Sequence, residues 1–345
     1  MIACLVALAF QGAPIVEAIP SVGDGPKCEI RYSREPLATP RLDPKFRIEH
    51  PYEVKGFFED RGAMQERLFV FVSAADRVPL AALTARQMLR MLAYAKSAFG
   101  FDLPLGYGRQ LHVFLTDAGE PGGEQGVFEG PAPQGGVKSY HCVYVYDVES
   151  FTEPVEMARE LAHEFGHAVL PAVGGFERPE RWANGMLGEL VFLRFLAQEV
   201  ALSDRDRMGA GAGDLQKYWN TALRPHVERV FLRGPRISPE EGKTEMVEYV
   251  GMMGVVLEAF PTAFARAMLL TGGTSAFDAE QGVLRAIGER NEWTVRLPEW
   301  LGSAAVYIPA PGDWRVEGAK VLARKSDWIK IQPLQNPLVL RRASE

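Results

Sequence analysis

Cysteine is scarce in this sequence, with three in 345 residues. So few thiols exclude a disulfide-stapled scaffold, and a chain of this length can bury a hydrophobic core without such cross-links. Cys4 lies in an apolar N-terminal stretch, which leaves Cys28 and Cys142 either as one disulfide or as two unrelated buried thiols. Both alternatives stay open, because a sequence does not give the distance between two residues.

Long runs of basic residues and of apolar residues are also missing. The formal net charge is −6 and no extended Lys/Arg cluster appears, which argues against a nucleic-acid partner. Beyond the N-terminus, no stretch reaches the roughly 20 apolar residues that a membrane helix needs, so we expect no membrane span in the mature chain. Hydrophobic residues make up 47% and charged residues 24% of the chain, a balance typical of globular domains.

The N-terminus is the most apolar segment. Residues 2–10 are apolar without interruption, and Val16-Glu17-Ala18 follows as a small-x-small cleavage sequence. We therefore interpret residues 1–18 as a signal peptide and expect an exported protein, periplasmic or secreted. No Lys or Arg precedes the apolar run, so the alternatives are a start further upstream and a hydrophobic N-terminus that is retained.

Periodicity of the apolar residues predicts an α+β fold. Residues 19–64 are rich in Pro, Gly and charge, and we expect an extended lead-in there. The strands predicted after it lie at 68–72, 111–115 and 141–147, with a Gly/Pro-rich loop at 117–138. The predicted helices lie at 79–99, 153–170, 179–201, 246–260, 261–270 and 279–290. We expect one domain over 65–295 and a short β-rich C-terminal segment over 296–345.

One motif in the sequence carries chemistry: His163-Glu164-Phe165-Gly166-His167. It lies on a predicted helix, where residues four apart share a face, so both imidazoles can reach one metal ion. A zinc ion at such a site lowers the pKa of its water towards neutrality. Glu164 follows the first histidine and can take a proton from that water.

Three stretches, 160–168, 179–190 and 249–257, make the sequence resemble the gluzincins, a group of zinc metallopeptidases with thermolysin-like and aminopeptidase N-like members. The resemblance implies a small mixed sheet packed on the motif helix, a mainly helical subdomain after it, and a cleft between them. It also implies one Zn²⁺ and a peptide or protein substrate. The family's substrate-pairing edge strand is matched by residues 141–147, and the tyrosine that steadies the oxyanion by Tyr249. A core aromatic is the alternative role for Tyr249.

The third metal ligand departs from the family pattern. Aligned on the shared tryptophan, the family's ligand glutamate falls on Gly185, and the next acid is Glu189. Glu189 has apolar neighbours, where an unpaired carboxylate is costly, and we predict that it is the ligand. The alternatives are a lost ligand and Asn184 as a weak oxygen donor. Glu177 and Glu180 lie before or at the start of the predicted second helix, where solvent favours a free carboxylate.

Two functions are compatible with this sequence. The first is a zinc metallopeptidase in which His163, His167 and Glu189 hold the metal, Glu164 is the general base and Tyr249 steadies the oxyanion. The second is a non-catalytic protein that binds a peptide or another partner on a degenerate gluzincin scaffold. The glycine at position 185 favours the second.

Overall fold

The computed structural model of the protein describes residues 14–21, 25–132, 135–198, 212–271 and 274–343. The chain divides into two units. The first unit contains the described residues up to Ala93 together with Leu103–Glu153, and the second contains Tyr94–Asp102 and the described residues from Pro154 onwards. The predicted α+β class is confirmed, with a mixed sheet, a set of helices and a β-rich C-terminal segment.

Strands dominate the first unit. Those described are Ile15–Ile19 (β1), Cys28–Tyr32 (β2), Arg41–Leu42 (β3), Glu49–His50 (β4), Tyr52–Asp60 (β5), Ala63–Val72 (β6), Leu111–Leu115 (β7), Gly122–Pro131 (β8) and Val137–Tyr146 (β9). Seven of them form one sheet in the order β1-β2-β5-β6-β7-β9-β8, and β3 pairs with β4 separately. β6, β7 and β9 are parallel neighbours, whereas the other pairs of the large sheet are antiparallel.

Two expectations for this unit are wrong. Residues 19–64 are not an extended lead-in, because β2 and β5 lie inside the large sheet. Residues 117–138 are not a loop, because β8 pairs with β9 along its whole length. The predicted edge strand 141–147 is consequently internal, and β8 is the edge. A strand as rich in Gly as β8 escapes detection because backbone pairing needs no side-chain alternation.

The two faces of the large sheet are covered differently. On one face lies the helix Val78–Tyr94 (α1), which approaches at Gly56, where a side chain would collide with Leu68 and Leu89. The opposite face carries an aromatic cluster from β6, β7 and β9, since alternate residues of a strand point to opposite faces. Its members are Phe69, Phe71, Phe114, Tyr140, Cys142 and Tyr144. No helix of the described first unit other than α1 is longer than one short turn.

The segment 37–50 lies over the aromatic face, and one buried carboxylate organises it. Asp43 accepts hydrogen bonds from the backbone N–H groups of Lys45, Phe46 and Ile48 at 3.0, 2.6 and 2.9 Å. Its other polar neighbours are the hydroxyl of Tyr144 and the ring of His50. Burial alone would raise the pKa of Asp43, but the contacts with His50 and the backbone donors lower it.

The predicted signal peptide and disulfide both involve this unit. Residues 1–13 lie outside the described residues, whereas Ala18 belongs to β1 and pairs with Glu29 of β2. Cleavage after Ala18 would therefore remove all but the last residue of β1. Cys28 and Cys142 are both buried and free, so the disulfide alternative is wrong. Burial raises the pKa of each thiol to about 12.

Helices dominate the second unit. Those described are Pro154–Val169 (α2), Asn184–Gly188 (α3), Arg194–Gln198 (α4), Ala212–Tyr218 (α5), Arg224–Arg233 (α6), Met246–Ala259 (α7), Pro261–Leu270 (α8) and Ala276–Gly288 (α9). π-Helical turns at Glu189–Leu193 and Trp219–Leu223 join α3 to α4 and α5 to α6. A third, Ala95–Phe99, follows α1. No described helix is both long enough and apolar enough to cross a membrane.

The C-terminal segment of this unit is β-rich, as predicted. Its strands are Glu292–Val295 (β10), Val306–Pro309 (β11), Trp314–Glu317 (β12), Ala319–Lys325 (β13), Trp328–Pro333 (β14) and Leu338–Arg342 (β15). They form two three-stranded sheets in the orders β10-β15-β12 and β11-β14-β13.

The motif helix α2 and the helix that follows it pack closely through glycines. A side chain at Gly166 would collide with the backbone of Asn184 and Gly188, and one at Gly188 would collide with the backbone of α2. The second helix begins at Asn184, not at residue 179 as predicted, so residues 179–183 remain loop. This loop delivers the residue that completes the candidate site.

Candidate metal centre

Three side chains of the second unit bring a ligand atom to one point. His163 and His167 lie one turn apart on α2, with their Nε2 atoms 3.2 Å apart. The Oε2 atom of Glu180 lies 3.2 Å from Nε2 of His163 and 3.1 Å from Nε2 of His167. Two ligand atoms bound to one tetrahedral ion at 2.0–2.1 Å are separated by about 3.3 Å. The three residues, called the metal centre below, could therefore hold a metal ion.

Gly185 allows the backbone of α3 to approach both histidine rings of the metal centre. A Cβ at this position would overlap the Nε2 atoms of both His163 and His167. Gly185, the position on which the expected alignment put a ligand glutamate, therefore lies against both histidine rings. The carboxylate that contacts these rings comes from Glu180 in the preceding loop.

Contacts within the second unit hold the loop that carries Glu180. The N–H of Ala183 donates to the carbonyl of Val173 at 2.8 Å. The ring of Trp182 lies against Gly174, where a side chain would collide with it. The fully buried Ala183 then leads directly into α3. Both ends of the loop are thus fixed close to Glu180.

The remaining ring nitrogens are also engaged. Nδ1 of His163 contacts Oε1 of Glu189 at 2.8 Å, and Nδ1 of His167 contacts Oδ1 of Asn184 at 2.9 Å. Asn184 is oriented by its amide group, which donates to the carbonyl of Leu170. When Nδ1–H donates to these oxygens, the Nε2 lone pairs face the metal centre, as metal-binding histidines require.

Glu189 and Asn184 are therefore partners of the ligands and not ligands. The prediction that Glu189 completes the metal site is corrected by its place at Nδ1 of His163, on the other side of the ring from Glu180. The apolar neighbours of Glu189 correctly indicated a buried and partnered carboxylate. Helical periodicity could not distinguish which ring nitrogen it would meet.

Two further side chains, those of Arg159 and Tyr218, hydrogen-bond the carboxylate of Glu189. Arg159 donates to its Oε1 at 3.0 Å, and the hydroxyl of Tyr218 donates to its Oε2 at 3.1 Å.

Burial would lower the pKa of His163, but hydrogen bonds with Glu180 and Glu189 raise it to about 10. Burial would raise the pKa of Glu180, but the two histidines lower it to about 2. In the metal-free centre, Glu180 and Glu189 thus stabilise the protonated form of His163.

Glu164 follows the first histidine of α2. Its side chain is buried, and its Oε2 has no hydrogen-bond partner among the described residues. Burial raises its pKa to about 7, against the lowering effect of His163 and His167. A buried carboxylate with a free oxygen and a pKa near neutrality is suited to accept and return a proton.

Tyr249 is not brought to the metal centre. It is fully buried within α7, where its hydroxyl contacts the Met268 sulfur at 3.9 Å and its ring packs near Phe176. Because the Tyr249 hydroxyl has no solvent exposure, it cannot contact a substrate oxygen in this conformation. Tyr249 is therefore a core aromatic, the alternative to the oxyanion role. Sequence reasoning assigned Glu180 to solvent, and it did not single out Arg159 or Tyr218, which carry no motif.

Comparison of the chain with protein-family models, with curated proteins and with solved structures finds no match. The geometry described above therefore carries the functional argument by itself. Its strongest elements are the His163, His167 and Glu180 triangle and the unpartnered oxygen of Glu164.

Proposed function

We propose that the protein is a zinc-dependent metallopeptidase. The observation that carries the proposal is the buried Glu164 carboxylate, with one oxygen free, on the helix that presents His163 and His167 to Glu180. Glu180 replaces Glu189 as the third ligand of the original hypothesis. Two imidazoles and one carboxylate are a typical donor set for catalytic zinc, and three protein ligands leave a position open.

A bound zinc ion would supply a Lewis acid and lower the pKa of water at the centre. The protein's own residues do the rest. Glu189 and Asn184 keep the two imidazoles in the orientation that turns Nε2 towards the metal centre. Glu164 accepts a proton from the attacking water and returns it to the amine nitrogen that leaves when the peptide bond breaks.

The substrate class and the location of the protein belong to the same proposal. We expect a peptide or protein substrate, in line with the resemblance of the motif stretches to gluzincins. Export is supported by the apolar run at residues 2–10. N-terminal sequencing of the mature protein tests export, because a chain that keeps Glu17 has not been cleaved after Ala18.

The decisive experiment is metal analysis coupled to a peptide-cleavage assay. The protein purified without added zinc should contain one zinc per chain and should cleave a fluorogenic peptide mixture. Activity should disappear after chelation and return with zinc. Glu180→Ala should abolish stoichiometric zinc, whereas Glu189→Ala should weaken zinc affinity by about 10- to 100-fold, as expected for a residue that orients a ligand.

Two outcomes contradict the proposal. Stoichiometric zinc without cleavage of any peptide in the mixture would favour the partner-binding alternative, which the glycine at position 185 also supports. A chain that takes up no zinc would be a degenerate relative without a metal.

A further inference from the structure

A second candidate site lies in the first unit, over the aromatic face of the large sheet. It is a cavity of about 770 Å³, within the size range of small-molecule sites. Six of its lining residues carry the argument, and we call the space between them the aromatic cavity: Arg41, Phe69, Phe71, His112, Lys138 and Tyr140. None of them belongs to the metal centre.

Flat rings form one wall of the aromatic cavity. Strand register places Phe69 opposite His112 across the β6–β7 pair, and their rings stack with centroids 4.9 Å apart. The Phe71 ring is parallel to that of His112 at 6.1 Å, and Tyr140 meets His112 edge-on at 5.1 Å. Such a wall favours a planar ring, which can stack on it or meet its edges.

Two cations line the cavity without forming an ion pair with any described residue. The Arg41 guanidinium lies 4.3 Å from the ring centre of Tyr140, and the Lys138 ammonium lies 5.2 Å from the same ring. Neither side chain has an ion pair or a hydrogen bond with any described residue, and the buried Nε of Arg41 has no partner. The one acid in the lining, Glu53, lies 3.8 Å from Lys55 and feels the charge of Arg41 without forming an ion pair with it.

His112 supplies a third polar group. Its side chain is 7% exposed, and its Nδ1 has no hydrogen-bond partner. Burial, together with the charges of Arg41 and Lys138, lowers its pKa to about 3, so the ring is neutral at physiological pH. Because the ring also hydrogen-bonds the His141 backbone, Nδ1 is left as an acceptor that a ligand N–H or O–H can satisfy.

We propose that the aromatic cavity binds a planar aromatic anion, with its ring against Phe69 and His112 and its anionic group at Arg41 and Lys138. A hydroxyl or N–H on the ligand satisfies Nδ1 of His112. The chemistry required is an aromatic ring, one negative group and one donor. Arg41 is half-buried, so its charge is less screened by water than that of an exposed side chain, whereas Lys138 is exposed and adds charge at the opening.

A fluorescent compound with these three features tests the proposal. 1-Anilinonaphthalene-8-sulfonate has fused rings, a sulfonate and an N–H, and N-phenyl-1-naphthylamine is the same molecule without the sulfonate. The full-length protein should bind one sulfonate probe per chain, and the uncharged amine should bind about tenfold more weakly or worse. Arg41→Leu and Lys138→Met should each weaken the sulfonate probe by a similar factor and leave the amine unchanged.

The matched control is Arg31→Leu. Arg31 also lies over an aromatic ring of the first unit, that of Phe57 at 4.1 Å, but it does not line the cavity. This variant should bind the sulfonate probe as the unmodified protein does. Circular dichroism and thermal midpoints of the three variants establish that each is folded.

Three results would overturn the proposal. The first is equal binding of the two compounds, and the second is an equal effect of Arg31→Leu and Arg41→Leu. The third is loss of sulfonate binding after zinc is removed by a chelator, because that would place the probe at the metal centre. Retained binding in the chelated protein supports the aromatic cavity independently of the proposed peptidase activity.

Discussion

The metal centre and the aromatic cavity have opposite imbalances of charge. At the metal centre, Glu180 contacts both histidines, Glu189 contacts His163 and the buried Glu164 lies on the same helix, so these three acids outnumber the one arginine, Arg159, that contacts Glu189. In the aromatic cavity, Arg41 and Lys138 face aromatic rings and form no ion pair with a described residue. Each imbalance indicates the ligand that would correct it, a metal cation in one unit and an organic anion in the other.

The largest expected effect is a loss of peptide cleavage without a loss of bound zinc. Glu164→Gln keeps the shape of the side chain but removes its ability to take a proton, so peptide cleavage should fall by about 10²- to 10⁴-fold with zinc content unchanged. Glu160→Gln is the matched control, because Glu160 is a buried glutamate of α2 that pairs with Arg159. Near-normal cleavage by Glu164→Gln would remove the general base from the mechanism.

The next effect distinguishes two glycines of the same helix. Gly185→Ala places a methyl group against Nε2 of both histidines, so we expect loss of zinc with little change in the free energy of unfolding. Gly188→Ala should instead destabilise the fold by about 1–3 kcal/mol, because its methyl group meets the backbone of α2. Zinc content and urea midpoints check both. Normal zinc in the Gly185 variant would show that the ion is not at the Nε2 atoms.

The segment 37–50, which lies over the aromatic face, is held in place by the carboxylate of Asp43. Asp43→Ala leaves three backbone donors of the segment 37–50 without their acceptor, which should lower the free energy of unfolding by about 2–4 kcal/mol. Glu35→Ala removes an exposed acid near the same segment and should have almost no effect. A loss in the Asp43 variant no larger than in the Glu35 variant would show that the segment is held by other contacts.

The smallest effect is a pH dependence of stability. The pKa of His112 is about 3 in the folded protein and near 6.5 in the unfolded chain. Between pH 6.5 and pH 3, the unfolded chain therefore binds a proton at this residue and the folded protein does not. Stability should therefore fall as pH falls through this range, by about 1.4 kcal/mol per pH unit for one such histidine.

His141, whose pKa burial lowers to about 4, adds to the same slope. His112→Asn should make the slope shallower without abolishing it. Urea midpoints at pH 7 and pH 5 measure the difference, and an unchanged slope would mean that His112 is protonated in the folded state.

The sequence predicted the parts of this molecule that depend on local periodicity. The α+β class, the motif helix and the positions of His163, Glu164 and His167 on it all follow from the spacing of apolar residues and of the motif itself. α8 also matches its predicted range.

The parts that were missed depend on the path of the chain in space. Glu180 lies in a loop without periodicity, and only the path of that loop brings its carboxylate to the histidines. The role of Glu189 depends on which ring nitrogen of His163 its carboxylate contacts. That contact depends on how two helices pack, which the periodicity of one helix does not give. β8 was missed because its glycines carry no alternating pattern.

The origin of Glu180 in a loop has a consequence for the rate at which the metal exchanges. The backbone of a ligand on a helix is held by the hydrogen bonds of that helix, whereas a ligand on a loop can also be released by a local opening of low free energy. Residence time at this centre would then follow the dynamics of residues 171–183, and a protease that cuts this loop would act faster on the apo protein than on the metal-bound protein. The lifetime of the bound ion and the protease resistance of the loop are two measurements of the same opening.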